Sequence, residues 1–188
     1  MATGAGGRLG LTTDGTAVIA HGGSGGTDVV VETLARTAGV WTSAGTAFSA
    51  GLLWGLNQAG DRVELVVYEN ASQQLLARGY TQGVGLSAPQ ALSPAGITTN
   101  WVNFQYLPGQ DLIFSWMQND SELWYATFDD SSDTWSSAML APGVNGSAIC
   151  ANPAGARIAA FIASGSIFAA QAAPGGGFST PQNLGSPS

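Results

Sequence analysis

Lysine is absent from this chain, and its five basic residues are all arginines: Arg8, Arg36, Arg62, Arg78 and Arg157. That excludes Schiff-base and P-loop lysine chemistry. The single cysteine, Cys150, excludes an internal disulfide and a cysteine-built zinc cage. One histidine, His21, leaves little for metal or triad chemistry. Charge of either sign is scarce, at 9% of 188 residues, against ~25% in ordinary soluble domains. No apolar run approaches the ~20 residues of a membrane-spanning helix. A net charge of −7 with so few basic residues argues against a nucleic-acid partner. The first residues lack the basic and apolar stretches of a secretory signal. Cytosolic, mature secreted, and virion- or toxin-associated locations all stay open.

What the chain does have is 45% hydrophobic residues, 27 Gly and 8 Pro, arranged in a repeat. Four segments follow one pattern of strand, turn, strand, variable loop and anchor. The first runs from Thr16-Ala17-Val18 through Asp28-Val29-Val30 to Val40-Trp41. The second takes Arg62–Tyr68, Asn70-Ala71-Ser72, Gln74–Arg78 and Gly85-Leu86. The third takes Asp111–Trp116, Asn119-Asp120-Ser121, Glu122–Ala126 and Thr134-Trp135. The last takes Arg157–Ile162, Ser164-Gly165, Ser166–Ala170 and Gly177-Phe178. The anchors Trp41, Leu86, Trp135 and Phe178 lie 45, 49 and 43 residues apart.

The apolar runs are short and rich in Val, Ile, Leu and aromatics, which reads as strands. Gly, Asn-Asp-Ser and Ser-Gly segments between paired runs read as hairpin turns. A further strand fits before each pair, around Arg8–Thr12, Leu52–Leu56, Trp101–Tyr106 and Ile149–Ala151. Four strands in ~45 residues make the blade of a β-propeller. The expected fold is therefore all-β: a β-propeller of four sequential four-stranded blades. It forms a single domain over residues 6–186, with blades near 6–50, 51–96, 97–146 and 147–186. Blades packed face to face leave little surface for charge, which accounts for the composition, and Cys150 reads as a small buried hydrophobe.

The pattern in residues 110–140, with its Asn119-Asp120-Ser121 turn, Leu123-Trp124-Tyr125-Ala126 and Thr134-Trp135-Ser136-Ser137, resembles the repeat of bacterial and fungal β-propeller lectins. These are the fucose-binding type and the related tectonin-like and insect-pathogen lectins. Residues 155–184 carry the resemblance next best. It implies glycans as partners, held between neighbouring blades by stacking on an aromatic ring and by Arg and Glu. That family usually closes with more than four blades. The resemblance thus implies either a small ring or self-association of several copies to close or extend one.

A sugar ring presents an apolar C–H face that an aromatic plane can cover. Trp41 and Trp135, as blade anchors, and Trp116, inside an apolar strand, read as core. Trp54, Tyr68, Tyr80, Trp101, Trp124 and Tyr125 lie near strand ends or polar neighbours and are the expected contacts. Tyr68, Glu69, Arg78 and Tyr80 form the densest local set of rings and charges. The plainer alternative there is an Arg78–Glu69 surface ion pair worth ~0–1 kcal/mol. Arg36 and Glu32 repeat that theme in the first blade, and His21 reads as an exposed turn residue. Asp129–Asp133 is oxygen-rich but lacks the Gly and Glu of a calcium loop, so a solvated hairpin is expected. Ser131-Ser132-Asp133-Thr134-Trp135 matches the sialidase turn Ser-x-Asp-x-Gly-x-Thr-Trp poorly. With five scattered arginines, a glycosidase is disfavoured. The expectation is a non-enzymatic carbohydrate-binding module with no cofactor and no metal. The alternative is a structural adaptor, such as a virion or tail surface component, which would gather apolar residues into one exposed patch.

Overall fold

The computed structural model describes residues 7–12, 14–22, 28–34, 39–49, 51–59, 62–69, 71–105, 113–129, 131–152 and 154–186. At 52–54, 57–59, 65–69 and 100–105 it describes the backbone alone. Every regular element among these residues is a strand. The chain divides into two compact units, Met1–Gly96 and Ile97–Ser188.

In the first unit, β1 (Arg8–Leu11), β2 (Ala17–Gly22), β3 (Val29–Leu34) and β4 (Trp41–Phe48) form an antiparallel sheet in chain order. A second sheet follows with β5 (Gly51–Ala59), β6 (Arg62–Glu69) and β7 (Gln74–Thr81). Its outer edge is split between β8 (Gly85–Leu86) and β9 (Gln90–Ala91), both paired with β7. Where that edge breaks, serines complete the hydrogen bonding of β7. Gly79 N donates to Ser87 Oγ at 2.9 Å, and Leu75 N donates to Ser93 Oγ at 2.9 Å. The alternation in β2 and β3 turns Val18, Ala20, Val29 and Val31 inward, where they meet Val63 and Tyr80 of the second sheet. The sheets come close at Gly10, where an added Cβ would lie 2.8 Å from a movable Leu56 methyl.

The second unit repeats the plan. β10 (Thr99–Gln105), β11 (Ile113–Gln118), β12 (Glu122–Asp129) and β13 (Thr134–Ala141) form one antiparallel sheet. The other contains β14 (Val144–Ala151), β15 (Arg157–Ala163), β16 (Ser166–Ala172) and β17 (Gln182–Gly185). All six residues of β11 are buried. Phe114 stacks on Trp116 at 5.3 Å, and Trp116 stacks on its cross-strand partner Trp124 at 6.1 Å. Between the two sheets lie Met117, Leu123, Ala141, Val144, Phe161 and Ala163. The β15–β16 hairpin turns on Ser164 (φ 50°) and Gly165 (φ 74°), both in the left-handed region that a tight two-residue hairpin requires.

Local geometry supplies independent evidence of repetition. In the β1–β2 turn, Thr12 N donates to Thr16 O and Gly15 N to Thr12 O. In the β14–β15 turn, Asn152 N donates to Ala156 O and Gly155 N to Asn152 O. All four bonds are 2.9 Å, and the two glycines have φ of 84° and 86°.

Three expectations about burial need correction. Trp41, expected in the core, is 42% exposed on the outermost strand of its sheet. Cys150 is exposed as well, because β15 alternates. Arg157, Ala159, Phe161 and Ala163 face inward, while Ile158, Ala160 and Ile162 face out, and Cys150 pairs with outward-facing Ile158. His21 belongs to β2 and is half-buried, its Nδ1 2.8 Å from Gly22 O.

Candidate binding site around Arg157

The first residue of β15 is a guanidinium in an apolar setting. Arg157 is 5% exposed. Its Nη2 donates to the carbonyl of Gly176, and its Cζ lies 5.9 Å from the centre of the Phe178 ring. That ring is held edge-on by Tyr125 at 4.9 Å and 85°. Nε and Nη1 are enclosed and have no hydrogen-bond partner. No carboxylate pairs with this arginine among the described residues.

Arg62 shows what the same start to a strand looks like when the charge is met internally. It opens β6, and its Nε binds the carboxylate of Glu64, two residues on and fully buried. The guanidinium lies over Gly79, where a Cβ would collide with it. Two residues after Arg157 stands Ala159 instead. Arg157 is moreover the sole charged residue among the last 55 of the chain, so β14–β17 contain no acid. That was the sequence signal for this site, and a search for pairs of charges passes over it.

A cavity of about 640 Å³ opens at this end of the sheet. Its walls include Arg157, the amide residues Asn152 and Gln171, the apolar Ile158 and Pro174, and several alanines. Asn152 Oδ1 accepts from Ala154 N and Ala156 N at 2.9 and 3.0 Å, which fixes one wall. This volume suits one small ring-sized ligand, and the lining offers both C–H surface and hydrogen-bonding groups.

The residues singled out from sequence distribute differently. Tyr80 is buried in the core of the first unit. Arg78 is half-buried and spends its donors internally: Nε to Ser87 O at 2.5 Å and Nη1 to Ala47 O at 2.6 Å. The plainer alternative, an Arg78–Glu69 ion pair, does not match the register, since Arg78 pairs with Leu65 and Glu69 with Gln74. Four residues along a strand separate them by roughly 13 Å. Trp124 is half-buried, with Nε1 donating to Glu122 Oε2 at 3.1 Å. Tyr125 packs against Phe178 and so reaches the surroundings of Arg157. The side chains of Trp54, Tyr68, Glu69 and Trp101 lie outside what is described, as does Arg36 altogether. Their strands' register still places two of them: Trp54 is the extra residue at a bulge in β5, and Trp101 the extra residue at a bulge in β10. Bulges re-aim side chains and recur beside binding sites.

Asp129 accepts from Ser131 Oγ at 2.7 Å, Ser132 Oγ at 2.9 Å and Ser131 N at 2.9 Å. The Ser131 and Ser132 hydroxyls, with help from backbone N–H groups, hold its carboxyl below the usual range. Its oxygens thus tie up their own loop. No cluster of metal-ligating side chains occurs among the described residues, and no described helix could cross a membrane.

No protein-family model and no curated protein matches the sequence. Solved structures do match in fold. The sialidase of Trypanosoma rangeli superposes with a TM-score of 0.52 at 12% identity, over 95% of this chain and 37% of that one. Oligopeptidase B from Trypanosoma brucei gives a TM-score of 0.56 at 11% identity, over 98% of this chain and 28% of that one. The SapL1 lectin, solved with alpha methyl fucoside, gives a TM-score of 0.50 at 9% identity, over 96% of this chain and 81% of that one. The chain thus spans little more than a third of the sialidase's length. Identities this low establish fold alone. The protein is all-β, built of four antiparallel sheets in chain order, and the structures it resembles in fold are β-propellers.

Proposed function

We propose that this chain is a carbohydrate-binding module of the β-propeller lectin kind, holding glycans without cleaving them. The four sheets act as sequential blades of one domain over residues 6–186. One observation carries the reading: a ring-sized cavity whose lining combines apolar residues, the amide residues Asn152 and Gln171, and Arg157. Shallow sites of this kind bind weakly one at a time and gain avidity when several engage together. Likeness to a lectin that was solved with a fucoside supports the reading. So does the repeated tryptophan at the β5 and β10 bulges. The scarcity of His, Cys and Lys supports binding over catalysis.

A glycan array with labelled protein, checked by competition with free monosaccharide, tests this. Saturable binding competed by one sugar family is expected. Silence from protein shown to be folded by circular dichroism refutes it.

A second reading rests on the outer face of β14–β17. Ile158 and Ile162, each 41% exposed, stand beside exposed Cys150, Ala148 and Ala160. Apolar faces of this sort mark association surfaces, here for a second copy of the chain. Concentration-dependent sedimentation, abolished by Ile162→Glu, would establish that role.

A further inference from the structure

We infer that the outer face of β14–β16 pairs with the same face of a second copy across a two-fold axis, the isoleucines of each sheet seated on the alanines of the other. This rests on the association reading above and gives it one arrangement. Register sets the outward residues in three rows across the strands: Cys150, Ile158 and Gln171; Ala148, Ala160 and Ala169; Gly146, Ile162 and Ile167. Ile149, Ala159, Phe161 and Ala170, which alternate with them, are buried on the opposite face. None of the outward residues is charged, although the chain as a whole carries −7. Two copies therefore meet here without opposing like charges, and a partner chosen by charge finds nothing to read. The relief of the face is also self-complementary. Rows two residues apart along a strand stand roughly 6.6 Å from each other, so the alanine row is a shallow trough beside the ridge of Ile162 and Ile167. A two-fold axis lying in the face, parallel to the rows and midway between trough and ridge, exchanges the two. It sets Ile162 of each copy over Ala160 of the other, and Ile167 over Ala169. Such reciprocity is what a two-fold interface demands. The patch spans three strands and roughly five residues, about 14 by 17 Å. That is well under a standard interface, so the pairing is weak and reversible, with a dissociation constant on the order of 0.1 mM.

Sedimentation equilibrium and small-angle X-ray scattering of the full chain, from about 10 μM to about 1 mM, test the arrangement. The parent should pass from one copy to two over that range. Ile162→Ala should weaken the pairing roughly tenfold by removing the ridge. Ala160→Leu should weaken it as well, by filling the trough, although it adds apolar surface that an indiscriminate patch would turn into tighter association. Ala160→Glu and Ile162→Arg should each remain monomeric alone. Their equimolar mixture should pair again, because one Glu–Arg contact and one unaltered contact of Ile162 on Ala160 then stand in the interface. Both positions lie on the exposed side of β15, so the circular dichroism spectrum and melting temperature of each variant should match the parent's. Association that Ala160→Leu tightens, or that the mixture fails to restore, overturns this arrangement and leaves the association reading standing. A parent chain that stays monomeric up to about 1 mM overturns both.

Discussion

Replacing Arg78 by Met is the sharpest test of how the first unit holds together. Arg78 projects from β7 and donates across to Ala47 O on β4 at 2.6 Å and back to Ser87 O at 2.5 Å. One guanidinium thereby joins two sheets and pins the chain beyond the short β8. Hydrogen bonds from a charged donor contribute ~1.5–3 kcal/mol each. Met keeps the packing of the stem while removing both donors. Because the residue is half-buried, water replaces part of what is lost, and the expected destabilisation is roughly 2–4 kcal/mol. For a chain of this size each kcal/mol moves the midpoint by ~2–4 °C. Arg78→Met should therefore melt roughly 4–16 °C below the parent, and Arg78→Lys should fall between, since one ammonium cannot span two carbonyls. Differential scanning calorimetry and urea unfolding followed by tryptophan fluorescence would read this directly. An unchanged melting temperature and urea midpoint, with glycan binding lost, would refute the structural role and return Arg78 to the ligand.

The remaining expectations concern packing and acid. Trp116, 1% exposed, should cost ~3–5 kcal/mol on truncation to Ala. Trp41→Ala should cost less than about 1 kcal/mol, because that ring is already 42% in water; equal losses would show the burial assignment to be wrong. Gly79→Ala would drive the Arg62 guanidinium off buried Glu64, with a loss of about 3 kcal/mol by chemical denaturation. Gly10→Ala meets only a movable Leu56 methyl and should cost about 1 kcal/mol or less. Asp14 is held below the usual carboxylate range chiefly by the Thr12 hydroxyl, and Asp129 by those of Ser131 and Ser132. A lowered folded-state value means that the stabilisation is complete above the unfolded carboxyl value of about 3.9 and fades as pH falls through the folded one. Asp14→Asn and Asp129→Asn should therefore flatten the melting-temperature profile between about pH 5 and pH 2.5. A profile parallel to the parent's would contradict the assignment.

Strand order and the turns were legible because their causes are local. Ser164-Gly165 and Asn119-Asp120 adopt the left-handed backbone that their small or amide-like side chains tolerate. The apolar runs between them can pair only with their neighbours. Which face of a strand is covered was not legible, since that depends on what lies against it. Cys150 and Ile158 look as apolar as Ile149 and Ala159, yet alternation sends the first pair out and the second pair in. The Arg78–Glu69 pairing failed for a related reason. The sequence puts both residues in one hairpin, but the register separates them, and only coordinates fix it. Arg157 was hidden because its own sheet carries no acid beside it to mark it.

The divided edge of the second sheet has a bearing on solubility. An outer strand ordinarily offers a row of free N–H and C=O groups onto which another chain can add. Here that row is cut into two-residue pieces, β8 and β9, with the Ser87 and Ser93 side chains engaging β7 where the ladder lapses and Pro89 and Pro94 beside them. No stretch of that edge is long enough to seed a foreign strand. In a chain with so little charge to keep copies apart, a broken edge does the work that lysines do elsewhere.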